Sequence, residues 1–184
     1  MNVTTGALGH TASATRVDRR GIGILAAGHA CADLCQGAVP ALLPFLVAQR
    51  GLSLTAAAAL ITASTIGSSV AQPLFGLWSD RLSTPVLLPA GVALGSIGVG
   101  VAGLCHSYVA LMAVLLVAGL GVAAFHPEGA RYANYFSRAA RGRGMSYFAV
   151  GGNVGFALGP ALVTPVVATL GLAATPCSRF PDCS

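Results

Sequence analysis

Residues 21–48 read GIGILAAGHACADLCQGAVPALLPFLVA and contain one charged side chain, Asp33. A helix needs about 20 predominantly apolar residues to cross the ~30 Å hydrocarbon core of a bilayer. This stretch is therefore long and apolar enough to span a membrane, and it decides the fold class.

Four further apolar runs follow the first, separated by short polar stretches. The sequence predicts an all-α integral membrane protein with a tail at residues 1–20 and a transmembrane region at residues 21–173. We place its five helices at about 21–48, 54–78, 86–105, 108–125 and 145–170, with a polar loop over 126–144.

Composition excludes the main soluble classes. Hydrophobic residues make up 55% of the 184-residue chain and charged residues 8%, and the mean hydropathy is +0.77. Soluble domains carry about 25% charged residues, so this chain cannot cover its surface in water. The same composition excludes disordered, collagen-like and disulfide-rich secreted proteins.

The basic residues, all arginine, indicate the orientation. Arg50 and Arg179 fall on one side of the predicted spans and the other eight on the opposite side: Arg16, Arg19, Arg20, Arg81, Arg131, Arg138, Arg141 and Arg143. Cytoplasmic loops are enriched in arginine and lysine. We therefore expect a cytoplasmic N-terminus, a multi-pass protein of the inner (plasma) membrane, and no nucleic-acid partner despite the net charge of +5.

Polar residues inside the first span point to a functional site. His29, Asp33, Gln36 and Pro40 fall on one narrow helix face at about 100° per residue. Ionisable residues within a membrane usually face a bundle interior or a water-filled cavity. We interpret His29, Asp33 and Gln36 as residues that handle a proton or substrate.

The second span carries a matching polar stripe. Together the two stripes predict a hydrated path, although hydrogen-bonding glue between helices explains the second stripe equally well. Its members are Thr62, Thr65, Ser69, Gln72 and Gly76.

We predict no metal site, no cofactor and no enzymatic activity. Cys31 and Cys35 lie opposite His29 on the helix, which excludes a metal site built from these three. His106 and His126 fall at opposite membrane edges, which argues against a haem pair with His29. The sequence also lacks a His/Glu metal spacing, a nucleophile pair and a phosphate loop.

Two motifs carry a family resemblance. Gly76-Leu-Trp-Ser-Asp80-Arg81, between the second and third spans, resembles the cytoplasmic signature of the major facilitator superfamily. Gly155-Phe-Ala-Leu-Gly159-Pro160, within a repeat of glycines that starts at Gly151, resembles the antiporter motif of its efflux members.

Further stretches resemble fosmidomycin-resistance-type efflux proteins over roughly residues 21–173. They are Gly28-His29-Ala-Cys-Ala-Asp33, Val39-Pro40-Ala-Leu-Leu-Pro44, Phe125-His126-Pro127-Glu128-Gly-Ala-Arg131 and Val150-Gly-Gly-Asn153-Val-Gly155. The resemblance implies antibiotic resistance through export of a small molecule or drug in exchange for protons, with the proton gradient as energy source. It also implies a cytoplasmic gate at Gly76, Asp80, Arg81, Glu128 and Arg131, and a hinge at Gly155, Gly159 and Pro160. For Glu128 and Arg131 an ordinary ion pair at the membrane edge is an equal alternative.

The chain departs from the family in two places. Ser83-Thr84-Pro85 stand where the signature has a glycine and two basic residues, which predicts a gate that is weaker or that relies on Arg131 and the arginine-rich loop instead. Superfamily members also have two halves with the substrate held between them, whereas this chain supplies five spans.

Residues 174–184 break the pattern where a sixth span is expected. We interpret them as an aberrant tail from a frameshift or premature end, with a Cys177–Cys183 disulfide as the alternative. The chain is then a truncated fragment whose partners are a small-molecule substrate, the lipid bilayer, and either a second copy or a missing C-terminal half. The rival hypothesis is a small membrane interaction or assembly protein without transport activity.

Overall fold

A computed structural model describes residues 16–82 and 85–172 as a bundle of α-helices. Predictions for the tail before residue 16, for Ser83 and Thr84, and for the tail at 174–184 lie outside these residues. The helices are α1 (Arg19–Arg50), α2 (Leu54–Val70), α3 (Gln72–Leu82), α4 (Leu87–Ala102), α5 (Tyr108–Ser137) and α6 (Arg141–Leu170). No strand occurs within the described ranges, so the predicted all-α class is confirmed there.

Four stretches of these residues are long and apolar enough to cross a membrane: Arg19–Arg50, Leu54–Arg81, Tyr108–Ser137 and Arg141–Leu170. The second comprises α2 and α3, which are separated at Ala71. Pro73 follows two residues later, and proline has no N–H to continue a helical hydrogen-bond ladder. The third predicted span, 86–105, is represented by the shorter apolar helix α4.

The polar loop expected over residues 126–144 is mostly helical instead. Helix α5 continues past Phe125 to Ser137, and α6 already begins at Arg141. Within this extension Glu128, Ala133 and Ser137 are buried, whereas Tyr135 is exposed. The polar residues after Phe125 therefore mark the part of α5 that is amphipathic, and they do not mark the end of the helix.

Helix α5 lies at the centre of the bundle and contacts the other five helices, while α1 packs extensively along α6. Two apolar clusters fill the interior. One contains Leu46, Leu60 and Leu111 near the end of α1, and the other contains Ile22, Phe125 and Phe148 near its start.

The arginine-rich segments meet at one end of the bundle. The backbone N–H of Asp18 donates to the carbonyl oxygen of Phe136 at 2.9 Å, which joins the start of α1 to the end of α5. At the opposite end, the Arg50 guanidinium donates to the Gly103 carbonyl oxygen. This separation is the asymmetry that the arginine distribution predicts.

The glycine repeat of α6 lies directly against the backbone of α1. A Cβ placed on Gly151 or Gly155 would come closer than 3.0 Å to the backbone of Ala26 or Ala30, respectively. Small residues permit this close approach of helices in membranes.

We expect Gly155→Ala to lower the free energy of unfolding by about 1–3 kcal/mol, because the added methyl overlaps the Ala30 backbone. Gly23→Ala on α1 is the control, since a Cβ there meets open space. Denaturant unfolding of the chain in detergent micelles measures both. Equal stability of the two variants would contradict the close α1–α6 contact.

Candidate functional site

Three ionisable side chains from two helices meet inside the bundle. His29 and Asp33 lie one turn apart on α1, and His126 comes from α5. His29 Nε2 lies 3.2 Å from Asp33 Oδ2, and His126 Nε2 lies 3.1 Å from Asp33 Oδ1. The two Nε2 atoms are 3.3 Å apart. We call these residues the His–Asp–His cluster.

The other ring nitrogen of each histidine is held by the backbone. His29 Nδ1 donates to the carbonyl oxygen of Phe148 on α6 at 2.8 Å. His126 Nδ1 donates to the carbonyl oxygen of Val122, one turn earlier on α5, also at 2.8 Å. A carbonyl oxygen accepts only, so each Nδ1 carries a hydrogen. Both Nε2 atoms are thereby directed toward the carboxylate.

Apolar and small residues enclose the cluster. The His29 ring stacks on Phe148 with centroids 4.1 Å apart and meets the His126 ring edge-on at 5.0 Å. A Cβ on Gly152 of α6 would come within 2.6 Å of both His29 Nε2 and Asp33 Oδ2. Only glycine therefore fits at this position without displacing the cluster.

The predicted site residues of the first two spans do not all come together. His29 and Asp33 are neighbours, as the helix face predicts. Gln36 instead lines a small cavity with Ser64 and Ser68 of α2. The predicted polar stripe of α2 is separate from the cluster: Thr62, Thr65 and Ser69 lie on an exposed face. The opposite face, which includes Gly67, packs against α5.

The prediction of His126 at a membrane edge, away from His29 inside the first span, was wrong. The error followed from ending the fourth span at Phe125, whereas α5 runs through His126 without interruption. Gly152 was also missed. Two signals for this were available in the sequence. They are the charged residue Glu128 just beyond His126 and the adjacent glycines Gly151-Gly152.

Cys31 and Cys35 take no part in the cluster. Cys35 Sγ lies 3.4 Å from Ser96 Oγ of α4, and Cys31 is exposed. The geometric exclusion of a site built from His29, Cys31 and Cys35 therefore agrees with the structure. The general expectation of no metal site does not follow from it, because His126 supplies a third suitable side chain.

Two of the predicted gate residues, Glu128 and Arg131, form an ion pair within α5. Arg131 donates to both carboxylate oxygens of Glu128, at 3.1 Å through Nε and 2.5 Å through a terminal nitrogen. The Glu128 side chain has 0% exposure, whereas that of Arg131 has 34%. The guanidinium also lies 4.5 Å from the Tyr132 ring centroid. This burial distinguishes the pair from an ordinary solvated one.

The motif at residues 76–81 lies in α3, beside the Glu128–Arg131 pair, but its charged residues make no ion pair with Glu128 or Arg131. Gly76 faces Pro127, the residue before Glu128. A Cβ placed on Gly76 would lie 3.7 Å from the Cβ of Pro127. Asp80 and Arg81 are exposed. Across residues 16–82 and 85–172, the ion pairs of the structure include neither of them.

We expect Arg131→Gln to lower the free energy of unfolding by up to about 3 kcal/mol, because it leaves the Glu128 carboxylate buried without its cation. Glu128→Gln removes the buried charge itself and costs less. The double variant should recover much of the loss. A double-mutant cycle from denaturant unfolding in micelles measures the coupling, and additive effects would show that the pair contributes nothing.

The chain is similar to two bacterial proteins. It is 32% identical over 166 residues to the fosmidomycin resistance protein of Escherichia coli strain K12, which covers 89% of this chain and 41% of that protein. It is 34% identical over 145 residues to the uncharacterized MFS-type transporter YfnC of Bacillus subtilis strain 168, which covers 78% of this chain and 35% of that protein. The matched segment is thus less than half of either relative.

No solved structure gives a significant match to the chain. The family profile described as Major Facilitator Superfamily matches residues 25–175, which include α2 to α6 and most of α1. The resemblance drawn from the two sequence motifs is thereby confirmed at the level of the superfamily. The chain belongs to the Major Facilitator Superfamily.

Proposed function

We propose that this chain is part of a secondary transporter that exports a small molecule in exchange for protons. Superfamily membership supports a transport role, a small-molecule substrate and a location in the lipid bilayer. The similarity to a fosmidomycin resistance protein supports export, and it makes fosmidomycin the first substrate to test.

The observation that carries proton coupling is the His–Asp–His cluster. Histidine and aspartate side chains enclosed in a membrane bundle are costly, and chains of them commonly serve as proton relays. Here three such groups lie within 3.3 Å of their neighbours. Asp33 is the fifteenth of the 32 residues from Arg19 to Arg50, which puts the cluster near the middle of α1.

Alternating access needs a gate, and we assign it to the arginine-rich end of the bundle. Glu128 and Arg131 form an ion pair in the extension of α5, and Gly76 of α3 faces that extension at Pro127. Asp80 and Arg81 are exposed there and free to pair when the gate closes. We assign the accompanying hinge to Gly155, Gly159 and Pro160, where α6 lies closest to α1.

We further propose that the arginine-rich end faces the cytoplasm of the inner (plasma) membrane, following the enrichment of positive charge in cytoplasmic loops. Substrate sites in this superfamily lie near the bilayer midplane between two repeats. A complete site then requires a second copy of this chain or a C-terminal half. We assign the chain no enzymatic activity, and the proposed transport needs no cofactor, with the proton gradient as its energy source.

We expect proton-driven accumulation of fosmidomycin in inverted membrane vesicles containing the chain, and its fall to background in Asp33→Asn. The amide cannot carry the exchanged proton. His106→Gln is the control, because His106 is exposed in the connection before α5. Radiolabelled drug and an imposed pH gradient provide the measurement, with EDTA present throughout.

Transport by Asp33→Asn equal to that of the unmodified chain would contradict the coupling role. If the unmodified chain itself transports nothing, a chimera that carries residues 25–175 within the E. coli relative isolates the effect of Asp33 from the need for a second half. Gradient-independent transport by that chimera would contradict proton coupling.

A further inference from the structure

We propose that His29, Asp33 and His126 form a binding site for a divalent transition-metal ion of the zinc class. The proposal rests on the arrangement of the three side chains, and it holds whether or not the chain exports a substrate. Each residue offers one ligand atom, and these atoms all lie within 4.8 Å of one another.

The hydrogen bonds of the two rings prepare them as ligands. Both Nδ1 hydrogens are donated to backbone carbonyl oxygens, those of Phe148 and Val122. In neutral histidine the Nε2 atom then has a lone pair and no hydrogen. Metal-ligating histidines almost always donate their other nitrogen in this way, which fixes the ring orientation and the tautomer. Helices α5 and α6 supply both of these carbonyl groups.

When both histidines are neutral, the arrangement brings acceptors together without a donor between them. Two Nε2 lone pairs and a carboxylate converge, and Asp33 Oδ1 is buried without a hydrogen-bond partner although His126 Nε2 lies 3.1 Å away. Within the described residues, the ion pairs of Asp33 are to these histidines alone. A cation placed among the three groups removes their mutual repulsion.

The spacing suits a tetrahedral ion. Zinc–nitrogen and zinc–oxygen distances of about 2.0–2.2 Å at tetrahedral angles put neighbouring ligand atoms roughly 3.3–3.5 Å apart. The three observed distances are 3.1, 3.2 and 3.3 Å. The 3.3 Å distance joins the two nitrogens, and the other two distances end on different oxygens of Asp33. Both nitrogens therefore already lie at ligand spacing, and the carboxylate must turn to present one oxygen to the ion.

The ligand types select the class of metal. Imidazole nitrogen suits zinc, copper, iron and nickel, whereas magnesium and calcium prefer a full set of oxygen ligands. Three protein ligands leave one position of a tetrahedral ion for water or another molecule. The side chains of Asp33 and His126 keep exposures of 16% and 22%, which leaves a route by which an ion enters.

The test is binding of Zn²⁺ to the full chain in detergent micelles by isothermal titration calorimetry. Cys177→Ser/Cys183→Ser serves as the background, so that thiols of the tail do not contribute. We expect one ion per chain, with affinity at least about tenfold weaker in each of Asp33→Asn, His29→Gln and His126→Gln. The matched control is His106→Gln, which should bind as the background does.

Substitution with Co²⁺ provides a second readout. Two nitrogens and a carboxylate should give the visible absorption of a tetrahedral ion without a thiolate charge-transfer band. Circular dichroism verifies that each variant is folded. No binding, unchanged affinity in the three ligand variants, or a thiolate band would each overturn the proposal. Since the transport assay contains EDTA, failure of the metal site leaves proton-coupled export standing, and the converse also holds.

Discussion

The close contact of α1 with α6 is the constraint on which the rest of the structure depends. Because Gly151 and Gly155 have no side chains, the two backbones approach to a distance that any Cβ would prevent. That approach brings the Phe148 carbonyl oxygen to His29 Nδ1 and leaves Gly152 as the wall behind Asp33. The orientation of the His29 ring, and hence the shape of the cluster, follows from helix packing.

Helix α5, at the centre of the bundle, contributes the remaining residue of the cluster and two residues of the proposed gate. One helix carries His126, which completes the cluster, and Glu128, which fixes Arg131 less than a turn later. His126 of the cluster and the Glu128–Arg131 pair of the proposed gate therefore lie on one helix. A movement of α5 against α1 would alter the cluster and the arginine-rich end together, which is the link that the proposed coupling needs.

Much of the fold could be predicted from the sequence, because apolar length and arginine placement are local signals. The face shared by His29 and Asp33 followed from helix periodicity, and the glycine repeat indicated a close neighbour. Which helix packs against the face of His29 and Asp33 could not be predicted in the same way. His126 contacts Asp33 from 93 positions further along the chain, and no periodicity within α1 specifies which helix packs there. Because residues 126–144 are polar, they were predicted to form a loop, although most of them are helical.

The cluster is the centre of this account, and the protonation of its histidines tests it most directly. Nitrogen-15 solid-state NMR of the histidine-labelled chain in lipid bilayers, compared with His29→Gln and His126→Gln for assignment, reports which ring nitrogen carries hydrogen. The account predicts protonated Nδ1 atoms on both residues and close contact between their Nε2 atoms. A hydrogen on Nε2 with a bare Nδ1 in either ring, or two rings out of contact, would contradict it.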